Sequence, residues 1–504
     1  MALVIGLEVS ILKKLAGQTA IYGLSSILGR LLNYLLVPLY TRVFDTGEYG
    51  VVTQFYAMAA FLNILFTYGL ETAYFRFSQT EKDTPKVYST ALSSIFITSA
   101  LLFISMLITA PWTSGMIGDA GEMNQHIPLL IMWFAGILAT DAIAAIPFAR
   151  LRLENKALRF ATIRLVNIAL NIGFNLFFLV SCPDLYEQGS QLVAGWYDPT
   201  LSVGYVFLSN LIASCITLLL LSPQLRALSS GWDPDLLKRM LRYGWPLMIA
   251  GLAGMVNETF DRIMLPLLVT DPSTALDQLG IYGACYKLSI LMTLFVQTFR
   301  YAAEPFFFSQ AGNQDARQIY ARVMTWFVAG CSFIFLGVML FLDVVKYFVG
   351  EEFRAGLSVV PILLIANLFL GVYLNVSIWY KLSGRTLWGA WFSVAGAVIT
   401  LLLNFLLIPK MGFMGAAWTT LICYGSIMLL SYFFGQRYYP VPYDLFAFFS
   451  AIIGALLLWA MANYLDPLVP GETMKWVIHS FLLSIYGGGA WVMLRRKTRK
   501  FAGT

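Results

Sequence analysis

The sequence predicts an all-α polytopic membrane protein of about fourteen transmembrane helices, built as two pseudo-symmetric six-helix lobes in parallel repeat plus two C-terminal helices. Three observations carry this expectation. Of 504 residues, 59% are hydrophobic and 12% charged, against roughly 25% charged in soluble domains. Apolar runs of about 20 residues, the length that crosses a bilayer core as a helix, recur from end to end. The chain also repeats itself at a nearly constant offset.

Taken in order, the apolar runs between breakers centre near Leu28, Ala59, Leu101, Gly136, Ala169, Leu211 and Met255, then near Ile290, Phe335, Ala366, Gly396, Cys423, Gly454 and Leu483. The distribution of basic residues tests this count, because a missed span would interchange the two sides of the membrane. Lys13 and Lys14, then every second connection and the tail "RRKTRK", together hold 23 basic residues; the opposite connections hold 5. The loop "CPDLYEQGSQLVAGWYDP" on the poor side is purely acidic. Both termini are therefore expected in the cytoplasm, and the net charge of +6 reflects topology and gives no reason to expect a nucleic-acid partner. Lys13 and Lys14 follow an apolar stretch, the reverse of a signal peptide, so the first span is expected to be retained.

The repeat is read from several matches. "YFRFSQ" at 74–79 returns as "PFFFSQ" at 305–310, and Leu153, Lys156, Leu158, Ala161 and Asn175 match Leu382, Arg385, Leu387, Ala390 and Asn404 at an offset of 229. Six spans separate equivalent points, and an even number preserves orientation, so the lobes are expected to be parallel repeats about an axis along the membrane normal. The expected divisions are 1–230, 231–437, and 438–504 with a basic cytoplasmic tail. Five scattered cysteines without paired spacing and two histidines without ligand spacing predict neither disulfides nor a metal site.

The segment "NFLLIPKMGFMGAAWTT" (404–420), with "NYLLVPLYTRVFDTGEYGVV" (33–52), resembles the polysaccharide-transport branch of the multidrug/oligosaccharidyl-lipid/polysaccharide exporter superfamily. Local chemistry fits: Pro409 and Gly412 separate two spans, and Gly415, Ala416 and Ala417 form a small-residue face for close packing. The resemblance implies two lobes around a central cavity worked by alternating access in a bacterial inner membrane. It also implies a cargo of undecaprenyl-pyrophosphate-linked O-antigen, capsule or exopolysaccharide units. Membrane lipids, a polysaccharide polymerase and chain-length machinery are the implied partners; no cofactor is implied, and coupling to H+ or Na+ is left open.

Charges inside the spans are the candidate functional residues, since each costs at least about 2.5–3.5 kcal/mol at mid-bilayer. The stretch "NETFDRIML" places Glu258, Asp261 and Arg262 in the seventh span; Arg30 lies in the first, Lys287 and Arg300 in the eighth. Arg30, Arg262, Lys287 and Arg300 are the candidate pyrophosphate ligands, because guanidinium forks match phosphate oxygens. The bland alternative is mutual neutralisation, for example Glu258 with Arg262 at i, i+4 spacing. Asp261 and Glu258 are candidates for ion coupling and charge compensation, as are the isolated acids Glu71 and Asp141, which equally read as structural groups. Arg164 reads as snorkelling, and Lys156, Lys381 and Arg385 as topology anchors. A cation-coupled drug exporter is the alternative function. A glycan polymerase or ligase is a third, opposed by the absence of a His-acid constellation on a long loop.

Overall fold

The computed structural model describes residues 28, 31, 32, 34–117, 121–226 and 231–502. Arg30 and most of the first expected span lie outside the described residues. Every described element is helical, and all thirteen expected span centres from Ala59 onward fall within described helices. Among the described residues ten helices are long and apolar enough to cross a membrane, and a bent pair makes eleven if it is one span. Gly204–Leu220 is a shorter apolar helix, and Pro234–Leu268, 35 residues long, carries too many charges to count by apolarity alone. The structure thus has the all-helical architecture expected.

The chain falls into two compact units, 1–280 and 281–504. The first contains α1 (Val37–Val43), α2 (Thr46–Thr67), α3 (Leu70–Thr80), α4 (Thr84–Thr113), α5 (Ile127–Leu153), α6 (Ala157–Leu176), α7 (Gly204–Leu220) and α8 (Pro234–Leu268). Their starts are written in capping residues. Asp45 accepts from Glu48 N at 2.7 Å while Glu48 accepts from Asp45 N at 3.3 Å, a capping box on α2. Asp233 accepts from the amides of Asp235 and Leu236, both at 3.0 Å, ahead of Pro234 at the first turn of α8. Between α2 and α3 the chain takes two left-handed residues, Tyr68 at φ 35° and Gly69 at φ 75°, so one apolar run is delivered as two segments. α8 packs on α2, α3 and α4 within this unit. Grouping by contact therefore places the seventh expected span with the first six, a different division from the sequence repeat, and the lobe assignment stays a proposal.

The second unit begins inside α9 (Ala275–Leu288) and continues with α10 (Ile290–Gln310), α11 (Ala316–Leu340), α12 (Val360–Val376), α13 (Ile378–Leu382), α14 (Leu387–Met411), α15 (Phe413–Tyr438), α16 (Leu445–Leu465) and α17 (Glu472–Ala502). The expected eighth span is broken at Ser289, where α9 and α10 meet at 53°. Continuous hydropathy hides that break. α16 and α17 both pack on α11, with Trp459 edge-on to Phe335 and Trp491 edge-on to Trp326.

The repeat is visible in local structure. The α5–α6 turn turns on Asn155 at φ 55° and the α13–α14 turn on Gly384 at φ 68°, equivalent positions at the 229 offset. In the first, Glu154 N donates to Arg150 O and Lys156 N to Leu151 O; in the second, Ser383 N donates to Trp379 O and Arg385 N to Tyr380 O, again matched residue for residue. Each is a helix C-terminal motif that needs one residue in the left-handed region. Asn175 and Asn404, also equivalent, are both fully buried. None of the five cysteines forms a disulfide with another.

Candidate functional site

In the first unit α8 presents the charged turn. Asp261 is buried and accepts from its neighbour's amide, Arg262 N, at 2.8 Å; Arg262 is half-buried. Glu258 is exposed, and among the described residues no ion pair joins it to Arg262. The expected i, i+4 contact is thus not made here. The helix turns Asp261 into the core beside Met264 and Leu265 and leaves Glu258 accessible.

Glu71 is not isolated. It forms an ion pair with Arg152 in the last turn of α5, each about one third exposed. Arg152 lies over the ring of Phe75 at 4.9 Å. Asp141 is accessible on α5 and accepts from Ser214 Oγ at 2.9 Å. Arg164 is exposed on α6 and stacks over Phe148 at 4.3 Å.

Asp141 belongs to a polar lane. Arg164, Asn167, Asn171 and Asn175 recur at spacings of 3 and 4 along α6 and so share a face. Asn167 Nδ2 donates to Thr217 Oγ1 at 2.9 Å; Asn175 Nδ2 donates to Asn171 O at 2.8 Å and its Oδ1 accepts from Tyr40 Oη at 2.9 Å. Asn210 Nδ2 reaches Tyr56 Oη at 3.4 Å. The 3.6-residue period of these polar side chains was the available signal for the lane in the sequence.

In the second unit Lys287, half-buried, occupies the last turn of α9, immediately before the break. A cation there meets the negative end of the helix dipole, a structural reason for its presence besides ligand binding. Arg300 is 55% exposed and its Nε stands 4.0 Å from Glu304 Oε2, one helical turn on, at the outer limit of an ion pair. Lys381 Nζ, read as a topology anchor, instead ends 2.7 Å from Glu304 Oε1.

The sequence pattern of a family described as "polysaccharide biosynthesis protein" matches residues 15–311. No curated protein matches the chain. Among solved structures, the chain is similar to "Lipid II flippase MurJ, inward closed conformation", with a TM-score of 0.69 at 13% identity over 94% of this chain and 98% of that one. It is also similar to an inward-facing multidrug-resistance MATE family transporter of the MOP superfamily, with a TM-score of 0.64 at 14% identity over 81% and 94%. A Vibrio cholerae MATE transporter in the bent form gives a TM-score of 0.53 at 13% identity over 89% and 98%. At such identities the likeness establishes a shared transporter fold.

Proposed function

The chain belongs to the polysaccharide biosynthesis protein family, and from that premise we propose that it is a flippase, not an enzyme. It carries undecaprenyl-pyrophosphate-linked oligosaccharide units, of the O-antigen, capsule or exopolysaccharide kind, from the cytoplasmic to the periplasmic leaflet by alternating access. The observation that favours this reading over the drug-exporter alternative is extent: the lipid flippase fold accounts for 94% of this chain and the two drug-exporter folds for 81% and 89%. The membrane is a bacterial inner membrane, both termini are cytoplasmic, and polymerase and chain-length machinery receive the product.

In this reading Arg30, Arg262, Lys287 and Arg300 are the cations that meet the pyrophosphate, since its oxygens suit charge-assisted hydrogen bonds. Buried Asp261 and accessible Glu258 compensate charge when no cargo is bound, and Asp141 and Glu71 are the remaining acids available for H+ or Na+ coupling. An unpaired buried charge is costly, so resting-state carboxylates are a physical requirement of any cationic site that must release its ligand.

The test is reconstitution into liposomes with a polyprenyl-pyrophosphate-linked sugar whose outer-leaflet exposure is read by an added sugar-modifying enzyme. Wild type is expected to translocate it, and alanine at Arg30, Arg262, Lys287 or Arg300 to insert normally and lose transport. Arg30→Lys retains part, because a point charge does not reproduce the fork. Asp261→Asn and Glu258→Gln are expected to lose dependence on an ion gradient. Gradient-driven export of ethidium without sugar-lipid translocation would overturn the proposal in favour of a drug exporter.

A further inference from the structure

Beside the Lys381–Glu304 ion pair the second unit contains a small, partly open cleft. Arg300, Glu304, Lys381 and Asn375 supply its polar lining, and Phe299 and Phe307 are among its apolar walls. Asn375 is 5% exposed, and its Nδ2 has no hydrogen-bond partner among the described residues. A buried amide N–H left unmade carries its full desolvation cost, so a ligand acceptor at this place recovers a penalty that the protein alone leaves standing. The charges point the same way. Two cations share one carboxylate: Lys381 holds Glu304 at 2.7 Å, while Arg300 stands off at 4.0 Å with 55% of its side chain exposed. The cluster therefore has one positive charge in excess and a guanidinium fork whose donors are not spent on Glu304.

The internal repeat supplies a control. Lys381 matches Arg152 at the 229 offset, and Glu304 lies two residues from Ala302, the match of Glu71 at the 231 offset that relates the "FSQ" segments. The first unit accordingly has its own strut, Glu71–Arg152. At the positions matching Arg300 and Asn375, however, it has Gly69 and the fully buried Ile146. The strut is common to both halves. At the positions matching Arg300 and Asn375 the first half has neither a guanidinium nor an amide, so the duplicated scaffold does not by itself account for them.

We propose that Arg300, Lys381 and Asn375 form a binding site for one phosphate group, carried by a lipid headgroup or by free pyrophosphate, within the second unit. A monoanion neutralises the excess charge, takes two donors from the guanidinium and one from the amide, and leaves the Glu304 strut in place. This deepens the role of Arg300 given above and rests on that reading only for the transport step.

The experiment uses the full chain purified in detergent. Equilibrium dialysis measures inorganic pyrophosphate, and native mass spectrometry measures dioctanoyl phosphatidic acid, with dioctanoylglycerol as the phosphate-free control. Wild type is expected to bind at least one phosphate probe saturably and the control not at all. Arg300→Gln weakens binding about tenfold or more and Asn375→Leu about threefold to tenfold, as expected for losing a charged and a neutral donor. Asn375→Asp, isosteric and anionic, weakens it further and keeps the test valid should the leucine variant fail to fold. Arg317→Gln, outside the cleft and stacked on Tyr439, changes binding less than twofold. Pyrophosphate binding as tight as phosphatidic acid assigns the site to the phosphate alone, and phosphatidic acid alone assigns it to a lipid headgroup; either supports the site. Absence of saturable binding, unchanged binding in Arg300→Gln and Asn375→Asp, or an equal loss in Arg317→Gln overturns it. Binding is read without translocation. A chain that binds but moves no sugar lipid sinks the flippase proposal and keeps the site, and the reverse result does the opposite.

Discussion

Gly415→Ala tests whether the segment "PKMGFMGAAW" is a packing device. Gly412, between α14 and α15, has φ 55° and ψ −135°, a conformation that only glycine adopts without strain. It turns α15 back so that Gly415 lies against the backbone it has just left. A Cβ at Gly415 falls 2.6 Å from both the carbon and the oxygen of the Leu407 carbonyl, and 2.9 Å from Ile408 N. Ordinary contact begins near 3.4 Å, so α14 and α15 must part by about 0.8 Å, and backbone has no alternative rotamer to offer. Overpacking of this kind costs about 1–3 kcal/mol. Gly337 in α11 is the matched control, since a Cβ there meets nothing within 4 Å, and alanine is favoured over glycine in a helix by roughly 0.8–1 kcal/mol. Because that helix gain is common to both variants, they should differ by the overpacking cost, about 1–3 kcal/mol, with Gly415→Ala the less stable. At about 2–4 °C per kcal/mol for a unit of this size, fluorescence-detected size-exclusion melting should show Gly415→Ala below wild type and Gly337→Ala at or above it. Equal melting of the two, or a more stable Gly415→Ala, refutes the close-packing argument.

The paired left-handed turns make a second test: Gly384→Ala and Asn155→Ala each lose about 1 kcal/mol of thermal stability, while Gly384→Asn and Asn155→Gly stay near neutral. Asp233 adds a pH prediction. Its bond to Lys86 at 2.8 Å, helped by the Leu236 and Asp235 amides, holds its pKa below the ordinary 3.8. A depressed carboxylate contributes stability that is present above its unfolded pKa and lost as pH falls through its folded one. The melting difference between wild type and Asp233→Asn should thus hold at neutral pH and close on acidification below about 4. Topology is tested with cysteines placed in a Cys215→Ser background, because Cys215 is exposed. Leu192→Cys should react with an impermeant maleimide added outside sealed cells, and Lys156→Cys should not; labelling of Lys156→Cys refutes the expected orientation.

What the sequence made legible followed from local pattern. Span positions came from hydropathy, and the matched residues that flank the turns at Asn155 and Gly384 came from the repeat. What it hid was non-local or smaller than a span. The break at Ser289 interrupts a helix but not its apolarity. Glu71 and Arg152 are 81 positions apart and Glu304 and Lys381 are 77, so no window on the sequence joins them, and Lys381 reads as a topology anchor. Asp261 and Glu258, three positions apart, differ in burial because of what packs on α8, which spacing alone does not reveal.

Where the repeat holds and where it breaks separates structure from chemistry. Asn175 and Asn404 are equivalent and both fully buried, and each half ties a carboxylate to the cation near the end of its fourth span. Such features persist because the duplicated scaffold needs them in both copies. Along the polar lane of α6, by contrast, Arg164, Asn167 and Asn171 match Ser393, Gly396 and Thr400, and Asp141 matches Leu370. The first half keeps an accessible acid beside a guanidinium where the second has dispensed with charge. Conversely, Gly69 and Ile146 become Arg300 and Asn375. A charge placed in an apolar helix in one copy and absent from the other has no scaffold role to explain its cost. Of the candidate acids, Asp141 and Glu71 therefore belong to the first half, and the proposed phosphate cleft to the second.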